Sequence, residues 1–575
     1  MSTPNTRSRR TVGPEQIKRV LKRTFGLSRL RDGQEAVIGR ILHGLSTLAL
    51  MPTGAGKSLC YQVPAVLLTG RTVVISPLIA LMKDQCDALT ELGIAAVQMH
   101  SGLSVAELEE SHRAIADGSA RIVFTTPEQL MHADFVATLA HGGVALLVVD
   151  EAHCLSQWGF DFRPAFLEIG NSIDALGRPP VLALTATATE SVVDDIIRLL
   201  AIPRAGVIGT DLFRPNLHYR VEHFSRAEDK LARTVELARE SEGVGLVYAA
   251  TIKAAEALHE ALDAAGEPAG LYHGRLSATR RHAAQDGFMN GDARVMVATN
   301  AFGLGIDKPD VRFVIHHQVP SGLDAYCQES GRAGRDGAPA TCTLMFVDGD
   351  RGVQQFFLSG RYPQRNDFRG VIDTLARQAP DPSGWQVDAL ADKLGSRRKV
   401  AVAVNLMRQS ALVHADDEGR LTLSGKSIDD DAVARLLGIC EDKSLRDRAM
   451  LERMIAYAQS GQCRWRLLLE HLEGAPTIGP CGTCDNCLRL AAHEAQRGAE
   501  REETETGKVP AEGGAQGNAD AAALPLFAVG DRVRTRRHGE ACVTASDTLS
   551  VTVQFDNGQS RNFQPQFLRR VRRGR

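Results

Sequence analysis

Two adjacent carboxylates, Asp150 and Glu151, end the apolar run of "VVDEAHC", with His153 two residues on. Polar residues commonly follow a strand that stops in water, so the pair alone decides nothing. The stretch "MPTGAGKS", residues 51–58, gives it a partner. It follows the strand-like "TLAL" and precedes the helix-like "LCYQVPAVLL", the context a phosphate loop requires. Gly54 and Gly56 free the backbone to aim N–H groups at phosphate oxygens, with Thr53 and Ala55 completing the loop. Lys57 would set a cation on the β and γ phosphates, and Ser58 a hydroxyl on Mg2+. Met51 stands where the usual pattern begins with glycine. Given such a loop, Asp150 can hold the magnesium through water, and Glu151 can orient or deprotonate the attacking water. The divalent cation would relieve the repulsion between the two.

Three further groupings carry chemistry. "QESGRAGRDG", residues 328–337, holds Arg332 and Arg335 three apart, which on a helix would put both on one face. Guanidinium groups aimed at a γ-phosphate stabilise the charge that develops there, so hydrolysis would need two domains to close on one nucleotide. Cys463, Cys481, Cys484 and Cys487 cluster, the last three with two-residue gaps, and four thiolates suit a structural, tetrahedral zinc. Trp158, Phe160, Phe162 and Phe166 lie close together in a chain with 5% aromatics. A buried cluster accounts for some of them. In an exposed loop such rings stack on unpaired bases, each worth about 1–3 kcal/mol, and Arg163 can meet a phosphate.

The elements that must position these groups follow from pattern. Short β-branched runs alternate with helical spacing from about 14 to 205, and again from 206 to 350, predicting two tandem α/β domains with parallel sheets. Residues 365–427 read as helix, turn, helix and a short hairpin, a winged-helix candidate, with a helical spacer as the plainer option. Residues 430–490 form a helical, cysteine-bearing module, and 491–522, rich in Ala, Gly and charge, a flexible linker. The stretch 523–575 alternates in short runs broken by Gly and "DNG", predicting a small basic β-barrel that adds phosphate contacts. Across 575 residues, a hydrophobic content of 43% permits large cores, and a net charge of −2 confines any nucleic-acid binding to local patches. No secretory leader or membrane-spanning run is evident, so a cytoplasmic protein is expected. The seven cysteines outside the cluster, Cys60, Cys86, Cys154, Cys327, Cys342, Cys440 and Cys542, read mostly as buried thiols.

Together these stretches resemble superfamily-two helicases, and more specifically the RecQ family of DNA helicases, over about 25–350 and again over 450–487. "LRDGQ", "SPLIALMKDQ", "DEAHCLSQWGFDFRPAF", "ALTATAT", "FGLGIDKP" and "CGTCDNC" carry the likeness. The resemblance implies two RecA-like domains, ATP with Mg2+ and Zn2+ as cofactors, single-stranded, tailed or forked DNA as the partner, movement 3′ to 5′ in repair or recombination, and a cytoplasmic, nucleoid-associated protein. It implies that Gln34 reads the adenine edge with Arg31 in support, that Asp307 joins the nucleotide site, and that the aromatic-rich loop with Trp158, Phe160, Phe162 and Arg163 links DNA occupancy to the catalytic Asp150, Glu151 and His153. The chain departs from the family at Leu27 and Phe160, where an aromatic residue and a histidine are common, and "LVYAATIKA" matches weakly. The winged-helix candidate precedes the cysteines instead of following them. A translocase that does not separate strands and a non-catalytic DNA-binding protein stay open as alternatives.

Overall fold

The computed structural model describes residues 12–571 except 78, 157–165, 167–168, 303–307, 378–383, 417–418, 426–427, 475–477, 507–526, 536–538, 547–549, 557, 559 and 566–567. Seven strands build the first sheet: β1 (Thr47–Leu50), β2 (Arg71–Ile75), β3 (Ala96–Met99), β4 (Ile122–Thr125), β5 (Val144–Val149), β6 (Val181–Thr185) and β7 (Val207–Gly209). Their order is β3-β4-β2-β5-β6-β1-β7, and every pairing is parallel. All five residues of β2 and of β6 are buried. Near-continuous β-branched and leucine runs are what a parallel strand needs when helices cover both faces.

A second parallel sheet follows: β8 (Leu217–Phe224), β9 (Val244–Tyr248), β10 (Ala269–Tyr272), β11 (Val295–Ala298), β12 (Val311–His316) and β13 (Ala340–Val347), in the order β10-β11-β9-β12-β13-β8. The two α/β lobes expected from the sequence are therefore present. A buried ion pair locks the second one: Lys230 Nζ donates to both oxygens of Asp350 at 2.7 and 2.9 Å. Beside it, Thr234 gives its proton to the Lys230 carbonyl and so accepts from His317 Nδ1 at 2.9 Å. Burial, with Lys230 nearby, brings the pKa of His317 down to about 3, which keeps the ring neutral.

After the lobes come helices Arg365–Leu375, Val387–Leu394 and Arg397–Gln409, then an antiparallel hairpin of β14 (Val413–Ala415) and β15 (Leu421–Leu423). This is the order of a winged helix, and the unit has its own core around Phe368, Trp385, Val404 and Met407. The helix Asp430–Gln459 joins it to the lobes. Val433, Leu436 and Cys440 near its start belong to the three-helix core, and Leu451, Met454 and Tyr457 near its end belong to the core of the second lobe.

The expected linker is displaced at its start. Helix Asp485–Thr506 runs well past residue 491, because "AAHEAQRGAEREETET" is built mostly of strong helix formers, and the composition signal for disorder does not distinguish such a segment from a solvated helix. The rest of the expected linker, 507–522, lies outside the described residues. The C-terminal segment forms an antiparallel sheet of β16 (Arg532–Thr535), β17 (Gly539–Ser546), β18 (Val551–Phe555), β19 (Ser560–Phe563) and β20 (Leu568–Arg570) over a core that includes Val533, Val543, Val553 and Phe563. Its order is β19-β18-β17-β16-β20, so β19 and β20 remain its edges among the described residues. Gln564 docks it: its N–H donates to Gln459 O at 3.3 Å and its amide to Ser460 O at 3.4 Å. Of the seven outlying cysteines, Cys60, Cys86, Cys154, Cys342 and Cys440 are buried, Cys327 is half-buried and Cys542 is exposed. No helix among the described residues is long and apolar enough to cross a membrane.

Removing one partner of the buried Lys230–Asp350 pair leaves the other charge unpaired. Asp350→Ala is expected to lower the stability of the second lobe by about 3–5 kcal/mol, read as an earlier transition in urea. Replacing both residues with apolar ones is expected to restore most of the loss.

Candidate nucleotide seam and metal centre

The phosphate loop joins β1 to helix Leu59–Leu67. Gly54 has φ +84° and Gly56 φ +76°, both in the left-handed region. Neither position has room for a side chain. A Cβ on Gly54 would lie 2.9 Å from Arg335 Cγ, and one on Gly56 would lie 2.7 Å from Gln34 Nε2. Met51, in place of the usual first glycine, is fully buried with its sulfur 3.8 Å from Cys60 Sγ. It serves as a core plug beneath the loop. Lys57 Nζ lies 3.4 Å from Met51 O, and Ser58 starts the helix without spending its hydroxyl on a cap.

Gln34 and Arg31 reach this loop from the side. The Gln34 amide donates to Ala55 O at 3.0 Å and Gly56 O at 2.9 Å, and its oxygen accepts from Arg31 N at 2.7 Å. Arg31 Nη1 donates to Gly54 O. Both N–H groups of the amide are thus engaged, leaving a lone pair on Oε1 for a base.

Asp150 leaves the C-terminal end of β5, separated from β1 only by β6. The intervening strand ties the two together through Thr185. Its carbonyl accepts from Met51 N at 3.0 Å, its hydroxyl donates to Thr187 O at 3.0 Å, and that hydroxyl lies 3.0 Å from His153 Nδ1. His153 Nδ1 is also 3.3 Å from Glu151 Oε2. Nothing within "ALTATAT" distinguishes Thr185 from its neighbouring threonines. Alternation of buried β residues hides which hydroxyl faces a neighbour. Burial, with Glu151 adjacent and Lys57 opposing, pushes the pKa of Asp150 up to about 7. Glu151 itself takes φ +49°, a strained backbone for glutamate that turns the chain sharply after the strand. A half-buried carboxylate held against a second carboxylate suits a divalent cation, so Asp150 and Ser58 fit the expected Mg2+.

The two arginines part company. Helix Leu323–Ser330 stops before either of them, and Arg332 and Arg335 lie on the turn that follows, so they share no helix face. Gly334, at φ +55°, makes continuation of the helix unfavourable. Arg335 lies against Gly54 of the phosphate loop. Arg332 is buried in the wall of a cavity of about 400 Å³ that second-lobe residues Tyr248, His316 and Glu329 line together with Arg361 and with Arg398 of the three-helix unit. There Glu329 is 2.9 Å from His316 Nε2, and His316 stacks on Tyr248 with 5.4 Å between ring centres. One residue that sequence reading missed joins these parts: Arg214, between the lobes, donates to Gly331 O and approaches Thr53 O. Asp307, Trp158, Phe160, Phe162 and Arg163 lie outside the described residues.

The four cysteines converge as expected. The sulfurs of Cys463, Cys481, Cys484 and Cys487 all lie within 4.8 Å of one another. Backbone N–H groups point at them: Cys481 N is 3.4 Å from Cys463 Sγ, and Arg464 N and Cys487 N are 3.4 and 3.5 Å from Cys484 Sγ. Such donors favour thiolates, and the donor set fits tetrahedral zinc. Next to it, fully buried Arg464 grips both oxygens of Asp485 at 2.9 and 3.0 Å, and Asp485 accepts from Val221 N of β8 at 3.1 Å. Trp465 Nε1 donates to Leu217 O at 3.0 Å. The metal module therefore seals the β8 edge of the second sheet.

Comparison with known proteins agrees with this layout. Residues 31–196 match the DEAD/DEAH box helicase model, 228–337 the helicase conserved C-terminal domain, and 428–488 the RecQ zinc-binding module. The chain is 42% identical over 341 residues to ATP-dependent DNA helicase RecQ of Bacillus subtilis, an alignment covering 59% of this chain and 57% of that protein. It thus spans little more than half of that relative's length. It is 37% identical to the probable ATP-dependent DNA helicase RecS of Bacillus subtilis, over 63% of this chain and 73% of the relative. To the putative ATP-dependent DNA helicase Q1 of Caenorhabditis briggsae it is 40% identical, over 71% and 72%. Among solved structures, the DUF1998 helicase MrfA bound to DNA matches with a TM-score of 0.51 at 18% identity, over 74% of this chain and 64% of that one, a likeness of fold.

Because thiolates and the second lobe share one core, purified protein is expected to hold about one zinc per chain. Cys484→Ala is expected to abolish it and to lower the melting temperature of the second lobe, checked by metal analysis and calorimetry.

Proposed function

The chain belongs to the RecQ family of ATP-dependent DNA helicases, and on that premise we propose that it hydrolyses ATP between its two α/β lobes to move along one DNA strand and separate a duplex. The carrying observation is the contact across the seam: Arg335 of the second lobe rests on Gly54 of the phosphate loop, in the lobe that also bears Asp150 and Glu151. A guanidinium so placed can meet the charge that develops on a transferred phosphoryl group. In this reading the loop N–H groups and Lys57 hold the triphosphate, Gln34 accepts from the base, and Glu151 orients water. Magnesium, when held by Ser58 and Asp150, neutralises phosphate charge. His153 and Thr185 keep the carboxylates in register with the loop. Asp307 is assigned to the same site.

The DNA contacts belong to the same proposal. Trp158, Phe160 and Phe162 would stack on unpaired bases and Arg163 would meet phosphate, next to the carboxylates so that strand occupancy bears on hydrolysis. Movement would run 3′ to 5′, in repair or recombination, in a cytoplasmic, nucleoid-bound protein. The C-terminal sheet is read as a small barrel that adds phosphate contacts. Arg532, Arg534 and Arg570 there are paired with Asp556, Glu540 and Asp531. Exposed pairs of this kind are worth under about 1 kcal/mol, so DNA can displace them. The second reading, a translocase without strand separation, is favoured by one feature: the three-helix unit with its hairpin precedes the cysteines, so the family's strand-separating element has no assigned counterpart.

ATP-driven strand release from a 3′-tailed duplex tests the proposal, and ATPase without release favours the second reading. Lys57→Ala and Glu151→Gln are each expected to lower turnover by at least about 100-fold while DNA binding, measured at fixed salt, stays within a few-fold of the parent protein. Trp158→Ala is expected to weaken the stimulation of turnover by single strands more than it weakens basal turnover.

A further inference from the structure

We infer that Arg214, in the segment joining the two lobes, is a positioning residue that sets Arg335 against the phosphate loop. The inference rests on the reading of the seam as a site of ATP hydrolysis. Arg214 is half-buried, and its guanidinium fans out over four backbone carbonyls. Nη1 donates to Gly331 O at 2.8 Å and lies 3.5 Å from Thr53 O; Nη2 donates to Ala333 O at 2.7 Å and Gly334 O at 2.6 Å. Three of these carbonyls belong to the turn that carries Arg332 and Arg335. The fourth belongs to the phosphate loop.

The turn needs such a donor. Helix Leu323–Ser330 has ended, so the carbonyls of 331 and 333 cannot be satisfied by a continuing helix, while Gly334 O also accepts from Gly337 N at 3.0 Å. Bonds from a charged donor are roughly twice as strong as neutral ones, and a planar fork serves several converging acceptors at once. Asn216, two residues on, adds donations to Gly334 O at 2.8 Å and Ala338 O at 2.9 Å. The fit is tight: a Cβ on Gly334 would lie 2.5 Å from Asn216 Nδ2, and one on Gly331 would lie 2.7 Å from Cys327 O.

Arg214 and Asn216 lie between β7, the last strand of the first lobe, and β8, the first strand of the second. Rotation of the lobes about this segment therefore carries the arginine turn with it. Arg214 bonds only to backbone carbonyls and touches no reacting atom. It acts through the placement of Arg335, and a displacement of about 1 Å at such a group can cost about 100-fold in rate. Lysine keeps the charge and loses the fork.

The test is steady-state ATPase on the full chain with Arg214→Ala, Arg214→Lys, Arg335→Ala and the double variant Arg214→Ala/Arg335→Ala, with zinc content and melting recorded for each. Both Arg214 variants are expected to lose about 100-fold in kcat, with KM for ATP within about threefold and with zinc and melting retained. The double variant is expected to turn over no more slowly than Arg335→Ala alone, because the effect of Arg214 runs through Arg335. Turnover of Arg214→Ala within threefold of the parent, losses that multiply in the double variant, or loss of zinc and melting in both Arg214 variants would each overturn the inference. Absence of ATPase in the parent chain, or full activity of Arg335→Ala, would instead overturn the reading of the seam.

Discussion

The seam depends on a close approach that only glycine permits. At Gly54 the backbone is left-handed and the missing side chain is the space that Arg335 fills. A phosphate loop usually turns its glycines toward the ligand. Here the same economy serves the partner lobe as well, so one residue type meets two steric demands at once. Loop, carboxylates and arginine come from three separate stretches of chain. Parallel strand ends bring the first two together, Thr185 at the end of the strand between them fixes their spacing, and the lobe contact supplies the third.

Helix Asp430–Gln459 is the second organising element. It is a core element of two units, with Cys440 in one hydrophobic cluster and Met454 in another. The two units are thus packed onto opposite ends of one continuous helix. The docking of Gln564 on Gln459 and Ser460 at the end of this helix adds the C-terminal sheet to the same body.

Much of this was legible from residues alone. Apolar runs gave both parallel sheets, and "GAGKS", "DEAH" and the cysteine spacing gave the site groups, because each places its ligands within a few residues of one another. What was not legible depended on distant contacts. A three-residue spacing suggested that Arg332 and Arg335 share a face, and Gly334 sends them to different surroundings. Gln34 could be matched to a base, while its bonds to Ala55 and Gly56 need the folded loop. Arg214 sits in an unremarkable connector, and nothing local marks an arginine that clasps carbonyls more than a hundred residues away. The composition of 491–506 argued for disorder, yet those residues are helical, since composition counts polar residues without asking whether they propagate a helix.

The covering of β8 by the cysteine module has a bearing on biosynthesis. The first sheet is complete once Gly209 has been made, with β7 as its last strand. The second is not: Trp465, Cys484 and Cys487 belong to its hydrophobic interior, and Asp485 caps the amide of Val221. A nascent chain leaving the ribosome must therefore carry an unsealed strand edge through some 260 residues of synthesis, from Val221 to Asp485, a window in which exposed edges invite aggregation. Closure of this edge thus waits on cysteines that are made only after β13, the last strand of the lobe, is finished.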